Sequence, residues 1–224
     1  SSRVIGDLGT VIDKLAGDAR TRFVVLRGDG KVFLAGADIS EMSAFNEDQG
    51  RAFARHGHNV FNALEALPQI TIAAMNGHAL GGGCELSLAC DFRLLVKDAK
   101  IGSPETRLGL IPGWGGTLRL PRYVGLGYAR KMIFSGEPIS AEEAYRVGLV
   151  DEIVPSAAEL DAVLQRWFKQ LAPGSPAAIA RCKQSLRLKD EIEEFAKCFG
   201  CSDSKEGTAA FLAKKPPTWA NWPA

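Results

Sequence analysis

The chain has 224 residues, 46% of them hydrophobic and 24% charged, with a formal net charge of +1. That length suits one domain or two small ones, and a domain of this size buries about 70–75% of its unfolded surface, so stability needs no disulfide or metal. The near-neutral balance gives no global pull toward nucleic acid or an anionic membrane, and no apolar run reaches the roughly 18 residues of a membrane span.

The first apolar positions, Val4-Ile5, Leu8, Val11-Ile12 and Leu15, recur at helical spacing and predict a helix over 2–16, closed near Gly17. Arg22–Arg27 is a β-branched run ended by Gly28-Asp29-Gly30 and reads as a buried strand. Residues 48–67 form a longer amphipathic helix with Phe53, Val60, Phe61, Leu64 and Leu67 toward the core, stopped by Pro68. Ile70–Met75 is a second buried strand, ending at Asn76-Gly77. A helix at Leu86–Ala89 and a strand at Phe92–Val96 continue the alternation.

Beyond Gly113 the pattern turns mostly helical. Ser140-Ala141-Glu142-Glu143 has the form of a capping box, in which serine and glutamate satisfy free N–H groups at a helix start. Val150–Val154 reads as a last strand, and helical patterns follow over 157–171, 176–188, 189–199 and 205–214. The expected division is 1–155 as an α/β core and 156–224 as a helical C-terminal region.

Three stretches could carry chemistry. In Asn76–Leu86 (NGHALGGGCEL), a strand enters three glycines and an apolar helix leaves them. Glycine lets a ligand approach the main chain closely, and the helix start presents unpaired N–H groups suited to a developing oxyanion. Glu85 falls in the first turn; the bland alternative is an ordinary favourable glutamate. Phe33–Ile39 is small and nearly uncharged, and could bring a second N–H toward the same point, or be a tight loop capped by Asp38. In Ile101–Gly116, Glu105 stands in an apolar, glycine-rich segment, a costly setting for a charge without a task.

Taken together, AGADI at 35–39, NGHALGGGCEL at 76–86 and GSPETRLGLIPGWGG at 102–116 resemble the crotonase superfamily, most closely its enoyl-CoA hydratases. Arg119-Leu120-Pro121-Arg122, the 139–150 segment and Gly207–Lys214 extend the likeness over nearly the whole chain. The resemblance implies a crotonase-like α/β spiral of ββα units with a helical C-terminal trimerisation region. It implies a hydro-lyase of the fatty acid β-oxidation type, which adds water reversibly to a trans-2-enoyl-CoA to give a 3-hydroxyacyl-CoA. An isomerase or a non-catalytic acyl-CoA binder is the alternative.

By the same resemblance, the backbone N–H groups of Ala37 and Gly82 form the oxyanion hole for the thioester carbonyl. Glu85 helps activate one water for attack at C3, and Glu105 delivers a proton to C2. Gly113 stands beside that water. Ala35, Gly36, Asp38, Ile39 and Gly81 belong to the substrate site, while Phe211 and Lys214 contribute to the CoA site of a neighbouring subunit. The implied partners are an acyl-CoA thioester and further copies of the chain, as a homotrimer or dimer of trimers, with no nucleic acid and no membrane. No separate cofactor is implied, because coenzyme A is part of the substrate. Apolar walls and mutual repulsion are expected to keep one of the two glutamates protonated.

The sequence also departs from the family. A strand hairpin that normally precedes the first helix is not in the chain, which starts at Ser1-Ser2. Ser40 and Glu41 stand where many relatives carry a lysine near the CoA phosphates. Phe45, Phe61 and Trp114 are candidates to shape the acyl pocket or simply core residues, and the alternatives to a CoA role are a core helix position for Phe211 and a solvated surface charge for Lys214. Other chemistries find little support. Gly125-Leu126-Gly127 opens like a dinucleotide fingerprint but has Arg130 at the third glycine position. His56 and His58 project about 200° apart on a helix, and His78 reads as a loop hydrogen-bonder. The five cysteines, including the Cys198/Cys201 pair, read as reduced thiols without a metal. Absence of a signal-peptide layout points to an intracellular compartment, bacterial cytoplasm or mitochondrial matrix.

Overall fold

The structure, a computed structural model, describes residues 2–36 and 39–221. Its strands are β1 (Phe23–Arg27), β2 (Val32–Ala35), β3 (Ile70–Met75), β4 (His78–Leu80), β5 (Phe92–Val96), β6 (Lys100–Gly102), β7 (Ile139–Ser140) and β8 (Glu152–Val154). The helices are α1 (Ser2–Ala16), α2 (Ile39–Met42), α3 (Glu47–Glu65), α4 (Gly82–Leu88), α5 (Gly116–Ser135), α6 (Ala141–Arg146), α7 (Leu160–Leu171), α8 (Pro176–Leu188), α9 (Glu191–Cys198) and α10 (Ser202–Leu212). Short 3₁₀ turns cover Glu105–Leu108, Ala157–Glu159 and Thr218–Asn221.

Two four-stranded sheets result, ordered β1-β3-β5-β8 and β2-β4-β6-β7. In each of the first three turns of chain, one strand joins the first sheet, the next joins the second, and a helical segment follows. That is the ββα spiral. β3 pairs in parallel with β5 (Ile72 opposite Phe92 through Met75 opposite Leu95), and β4 with β6 (Ala79 opposite Ile101). β6 and β7 pair antiparallel, Lys100 opposite Ser140. Every residue of β3 is buried, as its unbroken apolar run requires for a central strand covered on both faces. β1 differs from its expected burial: none of its residues is buried, because it stands at the end of the sheet order.

Asn76 couples the two sheets. Its buried side chain accepts from Gly28 N–H at 2.8 Å and donates to the Gly30 carbonyl at 2.8 Å, so one amide satisfies the β1–β2 turn while its own backbone leads from β3 into β4. Ser140 caps α6 by accepting from Glu143 N–H at 3.2 Å. The reciprocal half of the capping box is not made: the Glu143 carboxylate turns to Arg146 and the Tyr128 hydroxyl. These partners hold its pKa down to about 2, Arg146 first. Gly125 (φ 73, ψ 158) breaks the helical geometry inside α5, so the Gly125–Gly127 run marks a kink.

The chain divides into two compact units. The first holds residues 1–14, 25–65 and 71–160 and contains most of both sheets. The second holds 15–24, 66–70 and 161–224, with α7–α10. Within the second unit, the Arg22 guanidinium is buried and donates to the carbonyls of Ala172 (2.9 Å), Gly174 (2.7 Å) and Trp219 (3.0 Å). Ser175 and Asp190 cap α8 and α9, accepting from Ala178 and Glu193 N–H groups. No described helix is long and apolar enough to cross a membrane.

Candidate active site

A cleft of about 560 Å³ opens in the first unit. Ala35 and Gly36, at the end of β2, and Ile39, opening α2, line one side. Gly81, Gly82 and Glu85, from the start of α4, line another, and Glu105 and Gly113 complete the set of expected residues found here. Ala37 and Asp38 lie outside the described residues. Phe211, at the end of α10 in the second unit, is 82% exposed and is therefore no core residue. Lys214 is exposed just beyond it.

The glycines before α4 have separate physical reasons. Gly81 adopts φ 56, ψ −121, a conformation costly for any side chain, and a Cβ there would stand 3.2 Å from Glu105 Oε1. Gly83 admits no Cβ at all, since one would fall 2.0 Å from the Leu34 carbonyl oxygen. Packing β2 this closely under α4 is what brings Gly36 to the helix start. The first N–H groups of an α-helix have no intrahelical partner, and Gly82, the first residue of α4, lines the cleft.

Glu85 is 2% exposed and stands in the first turn of α4. Its Oε1 accepts two backbone N–H bonds, from Trp114 at 2.7 Å and Gly116 at 2.8 Å. Burial pushes its pKa up to about 7, against those two donors, with the negative charge of Glu105 a smaller upward influence. Apolar burial, more than mutual repulsion, therefore holds this carboxyl toward neutrality. Glu105 opens a 3₁₀ turn after Pro104, and burial raises its pKa as well. Its Oε2 is buried without a hydrogen-bond partner. A carboxyl oxygen left unpaired in an apolar wall is costly unless it awaits a partner in the bound state.

Of the aromatic candidates, Phe45 and Trp114 line the cleft. Phe61 does not: it is fully buried and supports Trp114 edge-on, ring centroids 5.6 Å apart. Phe53, read from the sequence as a core position, lines the cleft and lies 5.1 Å from the Trp114 ring. His78 accepts from Lys100 N–H at 2.9 Å, as a hydrogen-bonder. Among the described residues no three His, Cys, Asp or Glu side chains are grouped to hold a metal.

The sequence model of the enoyl-CoA hydratase/isomerase family matches residues 1–222. The chain belongs to that family. Among its members, a short-chain-enoyl-CoA hydratase of Clostridium acetobutylicum is 39% identical over 226 residues, covering 96% of this chain and 86% of that one. A crotonyl-CoA hydratase of Syntrophomonas wolfei is 39% identical over 208 residues, with 88% and 80% covered. The crystal structure of an enoyl-CoA hydratase from Bacillus anthracis superposes with a TM-score of 0.89 at 37% identity, covering 99% of this chain and 90% of that one. The two-sheet spiral is thus the crotonase fold of this family.

Proposed function

We propose that this family member hydrates trans-2-enoyl-CoA thioesters reversibly to 3-hydroxyacyl-CoA. The observation that carries the reading is the pair Glu85 and Glu105, two carboxyls held toward neutrality on the walls of one apolar cleft. Addition of water to a conjugated thioester needs a base for the water, an acid for C2 and donors for the carbonyl oxygen. The Gly82 N–H, with that of Ala37, polarises the thioester carbonyl so that C3 becomes electrophilic. Ionised Glu85 takes a proton from the attacking water while its hydroxide adds to C3. Glu105 gives its proton to C2 as the enolate collapses. One proton gained and one lost leave the pair a single transfer away from its starting state.

A pKa near 7 suits Glu85 to this work, since a base poised at the working pH is both available and strong enough. An isomerase needs one carboxyl to shuttle a proton along the chain; two on one cleft favour hydration. The active form is proposed to be a homotrimer or a dimer of trimers, with Phe211 and Lys214 reaching the CoA of a neighbouring subunit. Their exposure supports this, as neither has a folding role that would hold it inside its own chain.

The test is the ultraviolet absorbance of crotonyl-CoA, which falls as the conjugated chromophore is hydrated. The wild-type chain is expected to bleach it, and Glu85→Gln and Glu105→Gln each to slow the loss by about 10²–10⁴-fold. Full activity in either variant would remove that residue from the mechanism. A shift of the double bond without water uptake would make the protein an isomerase.

A further inference from the structure

Arg119 is a costly residue for its position, on α5 behind the cleft wall and only 3% exposed. Its guanidinium is fully engaged. Nη1 donates to the Trp114 carbonyl at 3.1 Å, Nη2 to Asn62 Oδ1 at 2.6 Å, and Nε to Glu65 Oε2 at 2.9 Å. Glu65 also receives Arg122 at 3.1 Å, so α3 anchors the arginine through a shared carboxylate. The 113–116 loop is shaped to admit it: at Gly115 (φ 112) a Cβ would lie 2.1 Å from Arg119 Nη1. On the loop's other side, a Cβ at Gly116 would lie 3.1 Å from Glu85 Oε1. One short loop therefore holds a guanidinium on its carbonyl side and a carboxyl on its N–H side.

We infer that Arg119 is a positioning residue for Glu85, gripping the Trp114 carbonyl so that the Trp114 and Gly116 N–H groups stay aimed at Oε1, and favouring the ionised carboxylate by its charge. The inference rests on Glu85 being the base proposed above. The titratable and charged groups around Glu85 are Glu105 from the 3₁₀ turn, Arg119 from α5 and the neutral, buried Cys84 thiol beside it on α4. Around Arg119 stand Glu65, His58 from α3 and, through Glu65, Arg122. Glu65 offsets part of the positive field that Arg119 projects, so the two residues act on Glu85 with opposite sign.

Two variants exploit that opposition. Arg119→Met removes the charge and releases the loop, and is expected to move Glu85 titration up by about one pH unit. Glu65→Gln keeps an acceptor for Arg119 Nε while leaving the guanidinium less compensated, and is expected to move it down by a few tenths of a unit. The readouts are the acid limb of kcat/KM for crotonyl-CoA hydration and a carbon-13 NMR titration of the Glu85 carboxyl, assigned with Glu85→Gln. Arg119→Lys should restore part of the shift but not the full turnover, because an ammonium lacks the planar fork. Opposite displacements in the first two variants support the inference. An unmoved Glu85 titration in Glu65→Gln, with Arg119→Met either unmoved or unfolded, overturns it and leaves Arg119 a structural residue. If the wild-type chain bleaches no crotonyl-CoA, the hydratase reading falls, and the NMR titration alone decides the inference.

Discussion

The Trp114 backbone N–H reaches Glu85 Oε1 at 2.7 Å, joining a loop to a helix 29 positions earlier in the chain. It stabilises an ionised carboxylate inside an apolar wall, yet burial outweighs it and the carboxyl sits at about 7. The consequence for stability has a definite sign. A folded-state pKa raised from 4.5 to about 7 leaves Glu85 without cost below pH 4.5, where folded and unfolded chains are both protonated. As pH rises from 4.5 to 7 the unfolded chain ionises first, and native stability falls by about 3 kcal/mol, staying at that lower level above pH 7. Glu85→Gln, whose carbonyl accepts the same two N–H bonds, escapes this. Its melting temperature should match the wild type near pH 4.5 and exceed it by roughly 5–10 °C at pH 7.5. A difference that does not grow with pH would show that Glu85 is not held toward neutrality.

Catalysis should run the other way. Hydration that uses ionised Glu85 rises with pH through about 7 and is lost below, so the wild-type acid limb of kcat/KM should have its midpoint near that value. The profile is measured with crotonyl-CoA between pH 5 and 9. A flat profile across the acid range would exclude Glu85 as the titrating base.

Much of this arrangement is legible in the sequence because the site is concentrated in contiguous motifs. Glu85 sits three residues beyond Gly82 on one helix, and Glu105 follows a proline that opens a turn, so each local geometry is written into a short run. The long elements are legible for the same reason: α3 and β3 carry enough periodic or unbroken apolar residues to fix their type. What escapes the sequence is β2, β4 and β6, four, three and three residues long. A strand of that length shows no alternation, and its identity comes from the neighbour it pairs with. Arg119 escapes in a similar way. The sequence places Arg119 in a stretch shared with the family but gives it no task until Trp114, Asn62 and Glu65 are brought around it. Phe53 looks like core by spacing because a cleft wall and a core present the same apolar face.

Trp114 depends on a missing side chain beneath it. Gly57 lies in the middle of α3, where alanine would raise helix propensity by about 1 kcal/mol. A Cβ there would meet Trp114 Cδ1 at 2.2 Å and Nε1 at 2.3 Å, contacts no rotamer relieves without moving the indole. Overpacking of this kind costs about 1–3 kcal/mol and outweighs the propensity gain. Gly57→Ala is therefore expected to lower the melting temperature and, by displacing Trp114 and its N–H, to reduce crotonyl-CoA turnover. A more stable variant with full activity would show that Trp114 is free to shift.

Thiol reactivity should separate the five cysteines by burial. Cys84 and Cys90 are buried, and burial pushes the Cys84 thiol up to about 12, so neither offers a thiolate to reagent. Cys182 is exposed, while Cys198 and Cys201 are partly so. In native protein, an aromatic disulfide reagent should label Cys182 first and Cys198 and Cys201 more slowly. Cys84 and Cys90 should react only after denaturation, as mapped by peptide mass. Rapid native labelling of Cys84 would mean that the wall behind Glu85 opens.

Gly81 gives the sharpest test of how closely the cleft is built. Alanine there meets two obstacles. The backbone angles φ 56, ψ −121 cost a side-chain-bearing residue on the order of 1–3 kcal/mol, and the new Cβ would sit 3.2 Å from Glu105 Oε1 and 3.3 Å from Gly36 Cα. Glu105 is the softer neighbour and should give way, moving the proton donor off its line to C2. A displacement approaching 1 Å at a reacting group costs about 10²-fold, so Gly81→Ala should lose turnover well beyond what its stability loss explains. Gly127→Ala is the matched control. A Cβ at Gly127 meets nothing within 4 Å, and its position inside α5 favours alanine. That variant should melt slightly higher than the wild type and keep its activity. Equal effects from the two substitutions would mean that the Gly81–Glu105 contact does not govern the position of the acid.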